Sequence, residues 1–186
     1  MNRSPVVGAA MRAAARPLLL ALTVLSLASF TLPARADDQP EYRLKAAFLF
    51  NFALFTEWPA EVGNMLNLCI QGTDPFGNEL DALQGKAVGS RTIDVQRRPA
   101  GDSLKDCQIV FIAPSAIGTL PRVLESIRGR PVLTVADSAG AARRGVALNL
   151  AVEQGKVSFA ANLQAARGSG LNLSSKLLRV ATEVIQ

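Results

Sequence analysis

The sequence predicts an α/β fold: a single three-layer domain, with a mixed, mostly parallel sheet, helices on both faces and a C-terminal antiparallel hairpin. Three observations predict it. Apolar strands alternate with helical segments over residues 66–137, the order of a largely parallel sheet covered on both sides. Two of those strands, CQIVFIAP at 107–114 and PVLTVAD at 131–137, are apolar without alternation, as strands buried on both faces are. The tail then changes character: VALNLAVEQGKVSFAAN, residues 146–162, reads as two strands joined at Glu153-Gln154-Gly155.

The domain is expected to follow a leader. Arg3, Arg12 and Arg16 form a basic start without an acid, LLLALTVLSLASF at 18–30 is an apolar run of 13, and Ala34 and Ala36 flank Arg35 in TLPARA. That order is a secretory signal peptide cleaved after Ala36. The run falls short of the ~20 apolar residues of a spanning helix. Residues 1–36 are thus assigned to a signal peptide and residues 37–186 to one domain, exported to a periplasm if the source is a Gram-negative bacterium. Removing the leader removes four arginines of a chain whose formal charge is +5, which leaves 16 basic and 15 acidic residues. The basic pairs Arg97–Arg98 and Arg143–Arg144 never extend into a run, so a nucleic-acid partner has no electrostatic footprint.

The first element is PEYRLKAAFLFNFALFTEW, residues 40–58, which lacks internal Gly or Pro and predicts a helix ending before Pro59. It is aromatic-rich, with Phe48, Phe50, Phe52, Phe55 and Trp58 inside AAFLFNFALFTEWP at 46–59. Leu44, Phe48, Phe52 and Phe55 share one helical face and are expected to pack on the sheet. Phe50, Leu54, Glu57 and Trp58 lie off that face and are the candidate surface for a partner or a dimer mate. LNLCIQG at 66–72 is a short apolar strand. TDPFGNELDALQGK follows as a turn and short helix, with Asp74 a plausible cap and Gly85 a stop. RTIDVQR at 91–97 alternates and reads as a strand with one polar face. SAIGTLPRVLESIRG supplies a helix ending at Gly129, and SAGAARRG a short one. After the hairpin, LQAARGSGLNLSSKLLRVATEVI gives helical stretches broken at Gly168-Ser169-Gly170, with Asn162 and Ser174 as candidate caps.

The chain contains no histidine, which removes Ser-His-Asp and Cys-His nucleophiles and the common zinc constellations. There is no GxGxxG and no Walker sequence, and the glycines of DSAGAARRG at 137–145 have the wrong spacing for a dinucleotide loop. No cofactor and no metal is expected. Ligands of doubly wound sheets bind beyond the carboxyl ends of the strands, which makes Asp74, Ser115 and Asp137 a candidate ligand edge; helix capping is the plainer role for each. A hydrolase working through Glu57, Asp74 and Asp137 alone has no activity to name. Cys69 and Cys107 are an even pair, which in an oxidising compartment favours a disulfide; two buried thiols acting as small apolar residues are the alternative.

YRLKAAFLFNFALFTEWP resembles the opening helix of the YfiR-like periplasmic proteins, whose pattern K-A-x-F-x-x-x-F-x-x-F-x-x-W-P falls on Lys45, Ala46, Phe48, Phe52, Phe55, Trp58 and Pro59. Four later segments match in the same order: LCIQGTDPFG, CQIVFIAPS, PVLTVADSAG with GVALNL downstream, and VSFAANLQAARGSGLNLSSKLLRVA. The resemblance implies a non-enzymatic repressor that binds the periplasmic sensor region of an inner-membrane diguanylate cyclase and so lowers cyclic di-GMP. It also implies an outer-membrane, peptidoglycan-associated lipoprotein that sequesters the repressor, and a homodimer. Well-studied relatives carry a second cysteine pair in the C-terminal half, which this chain lacks, so only Cys69 and Cys107 are left to respond to redox. The alternative reading is a periplasmic small-molecule binding module reporting to a membrane sensor or transporter.

Overall fold

A computed structural model describes residues 40–186 of the chain; the leader assigned to residues 1–36 lies outside the described residues. The aromatic segment folds as helix α1 (Pro40–Leu54). It stops four residues before Trp58, where the sequence placed its end, because Thr56–Glu57 leaves as a short strand, β1, paired antiparallel with β9 (Asn172–Leu173). The buried Thr56 hydroxyl donates back to the Phe52 carbonyl at 2.6 Å, and the Ser174 N–H takes the Phe55 carbonyl at 2.9 Å. Carbonyls at the helix end are thus satisfied by a side chain and a distant strand rather than by another turn.

The buried face of α1 also differs from the expected one. Lys45, Ala46, Leu49, Phe52 and Ala53 are buried, Phe48 and Phe55 are half-buried, and Leu44 is 48% exposed. The face is rotated by about one residue, because a lysine has taken a core position that apolar periodicity assigns to its neighbour.

The sheet has eight strands in the order β10-β8-β7-β6-β5-β2-β4-β3. Its parallel centre comprises β2 (Met65–Gln71), β4 (Arg91–Arg98), β5 (Ile109–Ile112), β6 (Leu133–Ala136) and β7 (Leu148–Glu153). Short β3 (Ala87–Val88) pairs antiparallel with β4 at one edge, and β8 (Lys156–Asn162) pairs antiparallel with β7. The hairpin turn is Gln154-Gly155, with φ of +51° and +75°. Two left-handed residues in a two-residue loop match the right-handed twist of the strands, and glycine adopts that conformation without steric cost.

Alternation along the central strands separates two cores. Leu66, Leu68, Ile70, Ile109, Phe111, Leu133 and Val135 point to the face covered by α1, by the 3-10 turn Gly77–Leu83, and by α3 (Leu163–Gly168) and α4 (Ser175–Leu178). Cys69, Val110, Ile112 and Ala136 point to the other face, under Leu120 and Val123 of α2 (Leu120–Ser126), with Leu104 and Ile127 beside them. This is the three-layer arrangement that the sequence predicts.

Two of the caps read from the sequence are in place, Asn162 and Ser174; Asp74 is not a cap, since the 3-10 turn Gly77–Leu83 starts at Phe76 without a side-chain cap. The Asn162 side chain accepts from Ala165 N–H at 2.9 Å and that of Ser174 from Leu177 N–H at 3.3 Å. The last segment is not helical throughout: Glu183–Ile185 form β10, parallel to β8 at the other edge of the sheet. Thr182 braces it by donating both its N–H and its hydroxyl to the Phe159 carbonyl.

Candidate functional site

The chain enters the sheet at an interior strand, β2, turns to β4 on one side and then crosses to β5 on the other. In open α/β sheets ligands bind at such a switch point, beyond the carboxyl ends of the strands. Here the β2 and β5 loops are stitched together. Gly72 follows β2 with φ +103°, and a Cβ on it would meet Ser115 Oγ at 2.7 Å. The Thr73 N–H donates to that same Oγ at 2.9 Å. The opening therefore lies beside the switch point, towards β4, as a cavity of about 500 Å³ lined by Gly72, Thr73, Asp74, Arg97, Arg98 and Ser115 among others.

Two of the three candidate edge residues, Asp74 and Ser115, thus share one cavity. Both are tied into local structure. Asp74 Oδ1 accepts from Phe76 N–H at 2.7 Å, closing a local turn just before residues 77–83, and Oδ2 accepts from Arg97 Nε at 2.7 Å. Arg97 also donates to the Gly77 carbonyl and to Asp81, so it clamps this loop rather than simply facing solvent.

Asp137, the third, lines a different cavity, also of about 500 Å³, beside the hairpin. Its side chain is 1% exposed. Its Oδ2 accepts from Lys45 Nζ at 2.9 Å and from Tyr42 Oη at 3.1 Å. Lys45 is bonded to Glu41 as well, and its ammonium lies 4.4 Å from the Tyr42 ring centroid. Burial pushes the Lys45 pKa down, but the bonds from Glu41 and Asp137 outweigh it and hold the group above its ordinary value. Lys45 therefore stays charged, the opposite of what a lysine base requires. Tyr42 is likewise raised, first by burial and then by the charge on Asp137. Sequence reasoning missed this network. The available signal was a lysine one helical turn after Glu41, inside an otherwise apolar segment.

The candidate partner surface is mixed in exposure. Leu54 is 43% exposed and Glu57, on β1, is exposed. Phe50 is half-buried beneath Lys86, whose ammonium sits 5.0 Å from the ring centroid. Trp58 is half-buried, with Nε1 donating to the Ala53 carbonyl at 3.0 Å. Arg91 donates to the carbonyls of Pro59, Val62 and Gly63, which pins the loop that follows.

Cys69 and Cys107 are bridged, with Cα atoms 5.9 Å apart. Both are buried on the α2 face, so a reductant reaches the bond only when that layer opens. Among the described residues no group of three or more acidic, histidine or cysteine residues is placed to hold a metal ion, and no helix is long and apolar enough to cross a membrane.

The fold and these tied-down polar groups define a three-layer α/β domain whose ionisable side chains hold loops and a helix in place. A family model described as YfiR/HmsC-like matches residues 42–182. The chain belongs to the YfiR/HmsC-like family, a regulatory rather than a catalytic family.

Proposed function

We propose that this protein is a periplasmic regulator that represses an inner-membrane diguanylate cyclase by binding the cyclase's periplasmic sensor region. The family match over residues 42–182 carries this reading. A regulator of this kind acts by binding one receptor state more tightly than the other, which shifts the receptor's population without any chemistry. Export rests on the leader read in residues 1–36, and cleavage after Ala36 is part of the proposal. The same family-based reading includes a homodimer and release of the repressor by an outer-membrane lipoprotein.

The contact surface proposed is the second side of α1 with β1: Phe50, Leu54, Glu57 and Trp58. An exposed leucine on a helix, beside half-buried aromatics, is a common interface composition. Trp58 is the only tryptophan in the chain, so its fluorescence reports on this surface alone. Titrating the cyclase's periplasmic region into the protein is expected to change that fluorescence, and Leu54→Asp to weaken binding while leaving the fold intact. Deleting the gene is expected to raise cellular cyclic di-GMP. Unchanged cyclic di-GMP, in a cell that makes the receptor, rejects the cyclase reading.

A further inference from the structure

Helix α1 carries apolar residues on two opposite sides. Leu49, Phe52 and Ala53 hold its core side, and Leu44, Ala47, Asn51 and Leu54 form a second series on the outer side, all four exposed. Intervals of three, four and three residues place them in one narrow stripe, the spacing of a helix that packs along a second helix. The stripe is symmetric about Leu49. Turned end for end against itself, Leu44 meets Leu54 and Ala47 meets Asn51, and each contact occurs twice. That is the property of a two-fold interface, in which residue i touches j and j touches i. Small Ala47 leaves room for the facing Asn51 amide, and the leucines close the two ends. Charge follows the same symmetry. Arg43, in the first turn, and Glu57, just beyond the last, are exposed and form no ion pair among the described residues. Antiparallel packing brings Arg43 towards the partner subunit's Glu57 and the negative, C-terminal end of the facing helix.

We infer that α1 packs antiparallel on the α1 of a second copy of this chain, about a two-fold axis at Leu49, through Leu44, Ala47, Asn51 and Leu54. This gives a surface to the homodimer of the family reading. Asn51 fixes the register at some cost in stability, as a lone polar residue in an apolar seam does. A seam of this length is a small interface, so the dimer is weak, with a dissociation constant in the micromolar range. Leu54 also belongs to the proposed receptor contact, so the dimer covers part of that contact and the monomer is the form that binds; this clause alone rests on the receptor reading.

The test is sedimentation equilibrium of the exported protein alone, which is expected to show a reversible monomer–dimer equilibrium. Leu44→Asp, at an exposed site outside the receptor contact, is expected to raise the dissociation constant at least about tenfold, and Asn51→Leu to lower it. Orientation is read by oxidative crosslinking. Leu44→Cys mixed with Leu54→Cys is expected to give a disulfide-linked heterodimer, and neither variant alone to crosslink, because antiparallel packing sets like positions about 15 Å apart along the axis. A protein monomeric at every concentration, a dimer undiminished in Leu44→Asp, or Leu44→Cys crosslinked to itself overturns the inference. Titration with the cyclase's periplasmic region separates the two readings: Leu44→Asp binds more tightly than the unaltered protein where dimer and receptor compete, and no binding by either protein rejects the receptor reading while the dimer stands.

Discussion

Lys45 is a full charge in a core position, held by Asp137 and Glu41 and lying against the Tyr42 ring. Removing one partner of a buried pair leaves the other uncompensated, which typically costs ~3–5 kcal/mol. Lys45→Met is expected to lose stability on that scale in urea unfolding. The pH dependence has a definite sign. Lys45 and Tyr42 both have folded-state pKa values raised above their ordinary 10.5 and 10.0. Their contribution is fully present below those ordinary values and is lost as pH rises through the raised ones. Stability should therefore fall on the alkaline side. Tyr42 is the only tyrosine in the chain, so an ultraviolet titration reads it alone. Its ionisation is expected above 10.0, and higher still in Lys45→Met, because the lysine's charge favours the phenolate. Ionisation of the native protein at or below 10.0 would show that the network does not form.

At the scale of elements, two aromatic clusters hold α1 to the sheet. Phe52 packs with Phe48 and Phe159, with centroids 5.8 and 5.0 Å away, and Tyr42 packs on Phe76, which packs on Phe111. Phe52→Ala is expected to cost ~3–5 kcal/mol and half-buried Phe48→Ala clearly less; equal losses in denaturant unfolding would mean that Phe52 is not the pivot. Elements whose signals are local were legible in the sequence. The buried strands at 107–114 and 131–137, the hairpin turn at Gln154-Gly155 and the Asn162 and Ser174 caps all rest on residues within a few positions. Elements set by distant pairing were not. Thr56–Glu57 becomes strand only because Asn172–Leu173 arrives, and Glu183–Ile185 only because β8 presents an edge. The site follows the same division. Position after a strand placed Asp74 and Ser115 at one cavity, but nothing local shows that Asp137 turns to a helix more than ninety residues earlier.

For the whole molecule, the Cys69–Cys107 bridge ties β2, an interior strand of the sheet, to the segment entering β5, its parallel neighbour. It closes a separation of 38 positions. Chain entropy gives such a loop about 4 kcal/mol of stabilisation. Cys69→Ala/Cys107→Ala is expected to lower stability by about that amount with the fold retained, measured by thermal and urea unfolding against the oxidised protein. A loss of well under 1 kcal/mol would mean that the unfolded chain already holds these residues close.

The β1–β9 pairing has a kinetic consequence. Residue 56 meets residue 173, and Phe52 rests on Phe159, so the first helix is completed by strands made more than a hundred residues later. Contacts of that separation slow folding, because the closure entropy must be met before any burial rewards it. An emerging chain cannot finish its opening third until its last fifteen or so residues are free. Under the export proposed above, that order of events would keep the chain threadable until β8 and β9 have been made.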